Sequence, residues 1–128
     1  MAEDRALIDI VLRYQELMKQ LVPTVKTAAD WAPLADFVAT DQFERVGTFL
    51  EVQDWQQYTQ MLTDWVSRID TFETTVRRIS QVGNLVYFEI EERHLRHGAT
   101  LVVNSLTVFE FTDDATICHL NVYLQQGR

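Results

Sequence analysis

The stretch Tyr87-Phe88-Glu89-Ile90-Glu91-Glu92-Arg93-His94 holds the clearest candidate for chemistry in the chain. It reads as a β-strand, in which alternate side chains face opposite ways. Val86, Phe88 and Ile90 then form an apolar face that continues into Glu92, His94 and Arg96, while Tyr87, Glu89, Glu91 and Arg93 face the other way. Charged groups on the core side of a strand need a reason. From the strand rise, the Cβ atoms of Glu92 and His94 are about 6–7 Å apart, within reach of a direct or water-bridged hydrogen bond. A desolvated carboxylate beside an imidazole is a plausible general acid/base pair. The plain alternative is that the strand leaves the core by residue 92 and both groups meet solvent.

Other residues could complete such a site. Arg45, in Phe43-Glu44-Arg45-Val46, shares the side of Phe43 and could point inward, pairing with Glu92 or clamping a ligand carboxylate or enolate. A surface ion pair is the competing reading. Tyr14 and Tyr58 lie on apolar helical faces, where a buried hydroxyl must find a partner. Trp31, Trp55, Met61 and Trp65, with Phe37, Phe43 and Phe49, read either as core or as the walls of a pocket for a planar or polycyclic molecule.

No GxSxG elbow, Gly-rich phosphate loop or HExxH helix occurs, and His94, His97 and His119 lack metal-ligand spacing. We therefore expect no cofactor and no metal. Cys118 is the only cysteine and lies in the apolar run Thr116-Ile117-Cys118-His119-Leu120, which suits a small core residue better than a nucleophile.

The elements that must position these groups change character along the chain, helices first and strands last. Leu7, Ile10, Val11, Tyr14, Leu17, Met18 and Leu21 make one apolar stripe on a helix from about residue 4 to 21, ended by Pro23. A short helix is expected after Asp30 as N-cap, carrying Trp31, Leu34, Phe37 and Val38 inward, with Pro33 in its first turn. Residues 43–52 read as a strand or hairpin broken at Gly47. Asp54 and Gln57 form a capping box for a helix to about Arg68, which places Trp55, Tyr58, Met61, Leu62, Trp65 and Val66 on one face.

From Thr71 the apolar period becomes two. Strands at about 71–82, 85–97, 100–112 and 115–125 are joined by Val82-Gly83-Asn84, His97-Gly98 and Asp113-Asp114, turns so tight that neighbours must be antiparallel. Strands this long should twist and curve. The expectation is an α+β cone, three N-terminal helices packed in a curved antiparallel sheet, formed by residues 1–128 as a single domain.

The formal charge of −8 and the pI near 4.7 argue against nucleic acid as a partner and against an anionic membrane surface. Met1-Ala2-Glu3-Asp4 is acidic rather than a basic and apolar leader, and no apolar run approaches the ~20 residues that span a bilayer. The expected location is cytoplasmic.

This order of elements resembles the nuclear-transport-factor-2-like superfamily, which includes ketosteroid isomerases, limonene-epoxide hydrolases, scytalone dehydratase and SnoaL-type polyketide cyclases. Arg13-Tyr14-Gln15-Glu16-Leu17, Leu85-Val86-Tyr87-Phe88-Glu89 and Val108-Phe109-Glu110-Phe111-Thr112-Asp113-Asp114 carry the resemblance. It implies that Tyr14 falls where ketosteroid isomerases keep an oxyanion-donating tyrosine. Their aspartate base would fall near Arg45 and their protonated aspartate near Thr107, so that isomerase mechanism is not expected. Glu92 falls on one catalytic aspartate of the epoxide hydrolases, but Ile90 falls on their arginine and Val122 near their other aspartate.

The resemblance also makes Val103, Ser105, Thr107 and Phe109 inner residues of the third long strand, and Cys118, Leu120, Val122 and Leu124 inner residues of the last. The outward face, with Val102, Asn104, Leu106, Val108, His119, Asn121 and Tyr123, is then rich enough in apolar groups to meet a second copy, giving a homodimer.

The function expected is binding of a small hydrophobic molecule, with cofactor-free isomerase, cyclase or dehydratase chemistry. Glu92 or His94 would be the base and Tyr14 would polarise an oxygen; Trp31, Phe43, Trp55, Tyr58, Met61, Trp65, Phe88, Ile90 and Thr107 would contact the ligand. The alternative is a non-catalytic binding or dimerisation module; exposed Glu92 and His94 with a cone filled by Trp and Phe side chains would decide for it.

Overall fold

The computed structural model describes residues 6–126. Helix α1 (Ala6–Leu21) buries Ile8, Val11, Tyr14 and Met18, so the apolar stripe settles slightly to one side of Leu7 and Ile10. The chain then makes a 3-10 turn (Ala28–Trp31) that runs into a single turn of helix, α2 (Ala32–Ala35), with Pro33 in its first turn. Asp30 is not the N-cap expected. Its carboxylate accepts the backbone N–H groups of Lys26 at 2.8 Å and Thr27 at 2.9 Å, which starts the turn earlier.

Strands β1 (Glu44–Val46) and β2 (Val52–Gln53) form a small hairpin, followed by helix α3 (Trp55–Val66). The expected capping box starts α3: Gln57 N–H donates to Asp54 Oδ1 at 2.8 Å, and Asp54 N–H donates to Gln57 Oε1 at 2.9 Å. Among the described residues three helices form in the expected order, but they do not stand together at the N-terminus, because the third follows the first hairpin. The chain has one long helix, a short helical segment, and a second long helix after the first hairpin.

Strands β3 (Thr71–Val82), β4 (Leu85–Arg96), β5 (Ala99–Phe111) and β6 (Ile117–Gln126) are antiparallel neighbours, in the sheet order β2-β1-β6-β5-β4-β3. The sheet is mixed, because β1 lies parallel to β6, with Arg45 opposite Leu120. The long connection through α3 and β3–β5 is what permits that parallel pair. His97 and Gly98 take the left-handed conformation that a two-residue hairpin turn requires, with φ of 51° and 79°.

Two bulges interrupt the period of two. Arg77 is an extra residue between Val76, which faces Ile90, and Arg78, which faces Glu89. Cys118 is an extra residue between Ile117, which faces Phe111, and His119, which faces Glu110. The second bulge corrects the placement of Cys118. Ile117 takes the fully buried place, and Cys118 is half-buried with its thiol directed at the Glu110 carbonyl at 3.5 Å. Partial burial, and then the Glu110 charge, push that thiol above its ordinary pKa, so it is no activated nucleophile.

The core lies between the helices and the inner face of the sheet. Val11, Tyr14, Trp31 and Leu34 meet Val86, Phe88, Phe109, Ile117 and Leu120, all close to fully buried. Each such side chain contributes about 1.5–3 kcal/mol relative to exposure. Among the described residues no helix is long and apolar enough to cross a membrane.

Candidate active site

The core does not fill the space between α1, α3 and the sheet. A cavity of about 660 Å³ remains there, within the size range of small-molecule sites. Met18, Met61, Leu62, Trp65, Phe72, Phe88, Val103, Phe109, Leu120 and Val122 make most of its wall. Set into this apolar wall are Tyr14, Arg45, Tyr58, Glu92, His94 and Thr107.

β4 brings Glu92 and His94 inward, as the alternation from Val86 requires. Their side chains are only 17% and 14% exposed, so the strand has not left the core at residue 92. His94 Nε2 lies 2.9 Å from Glu92 Oε1. On its other side, the Trp65 indole N–H donates to His94 Nδ1 at 3.3 Å. An indole nitrogen can only donate. Nδ1 is therefore the acceptor, the ring proton is on Nε2, and His94 donates that proton to the Glu92 carboxylate. Trp65 and Phe72 meet the imidazole edge-on with centroids 5.4 and 5.3 Å away, which fixes its plane. Glu92 Oε2 has no hydrogen bond to any described residue.

A second polar group comes from α1, α3 and β1. The Tyr14 hydroxyl is buried and makes no well-formed hydrogen bond. The Tyr58 hydroxyl and the Arg45 guanidinium are the polar groups that act on it. Burial raises the Tyr14 phenol well above its ordinary pKa, Tyr58 adds to the rise, and the Arg45 charge opposes it. Burial also raises Tyr58, against the pull of Arg45. Both phenols therefore stay protonated and able to donate. Arg45 Cζ lies 5.5 Å from the centre of the Tyr58 ring, and Nη1 donates to Gln53 Oε1 at 2.9 Å.

Of the expected contact residues, Tyr58, Met61, Trp65, Phe88 and Thr107 line the cavity together with Tyr14, Arg45, Glu92 and His94. Trp31, Phe43, Trp55 and Ile90 do not. Trp31 is fully buried with its indole N–H on Thr63 Oγ1 at 3.0 Å. Phe43 stacks on Tyr58 and meets Trp55 edge-on, with centroids 5.5 and 5.2 Å apart, so this pair supports the wall from behind. Ile90 shares the inner face but packs into the core. Phe49 stands exposed on the β1–β2 loop.

Phe72 was missed. The signal was available only through the β3–β4 register, where Phe72 opposes His94.

No family model matches the sequence, and no curated protein matches it. Solved structures do match in shape. An NTF2-like protein from Anabaena variabilis has a TM-score of 0.77 at 16% identity, covering 99% of this chain and 96% of that one. A protein from Shewanella denitrificans assigned as a SnoaL-like polyketide cyclase has a TM-score of 0.77 at 10% identity, covering 95% and 92%. An epoxide hydrolase of LEH-like type from M. tuberculosis has a TM-score of 0.71 at 16% identity, covering 93% and 82%. The chain has the nuclear-transport-factor-2-like fold. Identities this low establish the fold and no activity.

Proposed function

On this fold, we propose that the chain binds a small cyclic, largely apolar molecule and acts on it by cofactor-free proton transfer next to a carbonyl, as an isomerase, cyclase or dehydratase. The observation that carries the reading is the Trp65–His94–Glu92 chain of hydrogen bonds on the wall of a 660 Å³ cavity. With Nδ1 occupied and Nε2 carrying the proton, His94 is the orienting group, and Glu92 is the base. Glu92 Oε2 takes a proton from carbon, and the electron pair moves onto the carbonyl oxygen. Tyr14 and Tyr58, held protonated by burial, donate to that oxygen as its charge grows. Return of the proton from Glu92 to another carbon gives an isomer; attack of the enolate carbon on a second carbonyl of the ligand, whose oxygen takes that proton, gives a ring; loss of a β-hydroxyl as water, on receiving that proton, gives a dehydrated product.

An exposed Glu92–His94 pair and a filled cone would decide for the non-catalytic alternative. The low exposure of both side chains and the open cavity favour proton transfer instead. We also propose a homodimer formed through the outward sheet face, where Val102 and Tyr123 are 47% and 55% exposed beside Leu106 and Val108.

The test is deuterium uptake from D2O next to the carbonyl of 2-tetralone or 1-indanone, followed by proton NMR. Uptake faster with the protein, and lost in Glu92→Gln, is the expected result. Equal rates with both proteins, alongside saturable quenching of tryptophan emission by the same ketones, would leave a binding module.

A further inference from the structure

Arg45 is 9% exposed, lines the cavity, and is poorly neutralised. Its one hydrogen bond goes from Nη1 to a neutral amide oxygen, that of Gln53, at 2.9 Å. Among the described residues the only carboxylate within 4.0 Å of it is that of Glu51, at 4.0 Å, on a side chain that is 43% exposed and also accepts the Phe49 backbone N–H at 2.9 Å. Nε and Nη2 have no hydrogen bond to any described residue. Those two nitrogens are open to the cavity, where an anion would complete the guanidinium.

The rest of the cavity points the same way. The Tyr14 hydroxyl, in the field of Arg45, is buried with no well-formed hydrogen bond, and Tyr58 is a second protonated phenol beside both. Arg96 lines only the exposed rim of the cavity, with Nε on the Arg68 carbonyl at 2.9 Å, so Arg45 is the guanidinium of its interior. An enclosed cation with open donors is a place for an anion. Arginine presents its donors as a planar fork that matches a carboxylate.

We infer that the ligand is a cyclic apolar acid that also carries the reacting carbonyl, bound as the carboxylate on the open donors of Arg45, with the Tyr14 and Tyr58 hydroxyls left to the carbonyl oxygen. This rests on the proposed site and narrows its substrate class. Glu92 then works on a carbon of the ring body, away from the carboxylate, along the apolar wall of Trp65, Phe72 and Phe88.

The experiment compares 2-naphthoic acid with its methyl ester at neutral pH, read by quenching of tryptophan emission and by calorimetry. The acid is expected to bind about 10- to 100-fold more tightly than the ester, the range of a charged hydrogen-bonded contact. Arg45→Met should erase that preference while retaining ester binding, and Arg45→Lys should keep part of it. Glu92→Gln, which removes the carboxylate that shares the cavity with the bound anion, should widen the preference. Acid and ester binding equally in the unaltered protein would overturn the inference while leaving the proposed apolar site standing, as would an unchanged preference in a folded Arg45→Lys or Arg45→Met variant. Binding of neither probe would overturn both.

Discussion

The indole N–H of Trp65 points at Nδ1 of His94 from 3.3 Å, and in the proposed proton transfer this contact assigns the role of base to Glu92. It makes Nε2 the protonated nitrogen, which faces Glu92 Oε1 at 2.9 Å. A histidine with both nitrogens engaged in this way orients a carboxylate instead of abstracting a proton itself.

The tautomer is directly measurable. In nitrogen-15 ring spectra, His94 of the unaltered protein should show Nε2 protonated and Nδ1 bare. Trp65→Phe removes the donor while keeping an aromatic ring, and should let the Nδ1-protonated form appear. Loss of one hydrogen bond of about 1 kcal/mol should lower turnover roughly fivefold. A Trp65→Phe protein with the same ring shifts as its parent would mean that Trp65 does not set the tautomer.

Glu92→Gln keeps the acceptor for His94 and removes the base. Turnover of the true substrate, or deuterium uptake into a cyclic ketone, should fall by roughly 10²–10⁴. The thermal midpoint should move little, because the side chains are nearly isosteric. Retained activity would move the base elsewhere in the cavity.

Tyr14→Phe separates stability from function. The hydroxyl it removes is buried without a well-formed hydrogen bond, so the variant should gain about 1 kcal/mol in denaturant unfolding. Ligand binding should weaken at the same time. A less stable Tyr14→Phe protein would show that the hydroxyl is satisfied.

The raised phenols also set an alkaline limit. Tyr14 and Tyr58 hold their protons in the folded state at a pH where the unfolded chain, with the ordinary phenol value of 10.0, releases them. The folded state then binds more protons, so stability is fully present below that value and falls as pH rises toward the folded-state values. Thermal midpoints across this range should fall less steeply for Tyr14→Phe than for the parent. Parallel pH curves would contradict the burial of this phenol as the cause.

Sedimentation should give a mass near twice 14.9 kDa at tens of micromolar. Tyr123→Glu alters an exposed side chain on the outer face, opposite Leu106, and should yield a folded monomer. A parent protein that sediments as a monomer would count against the homodimer.

Much of this architecture is local and could be read along the chain. The stripe through Val11, Tyr14 and Met18, the Asp54–Gln57 capping box and the tight turns at Gly83-Asn84 and His97-Gly98 depend on neighbours a few residues away, where spacing fixes geometry. Alternation from Val86 likewise turned Glu92 and His94 inward, because no bulge interrupts β4. Where an extra residue intervenes, local reading fails. The Gly83-Asn84 turn alone would set Phe72 opposite Leu95, and the bulge at Arg77 moves it opposite His94 and into the site. The bulge at Cys118 exchanges that thiol for Ile117 in the core. Sequence patterns rank aromatic residues as apolar but cannot say which of them border empty space. Only the packing of α3 against the sheet gave Trp65 to the cavity and Trp31 and Trp55 to its support. The partnering of His94 by Trp65, 29 residues away, and the incomplete neutralisation of Arg45 are likewise set by which distant groups meet, and that is decided by tertiary structure.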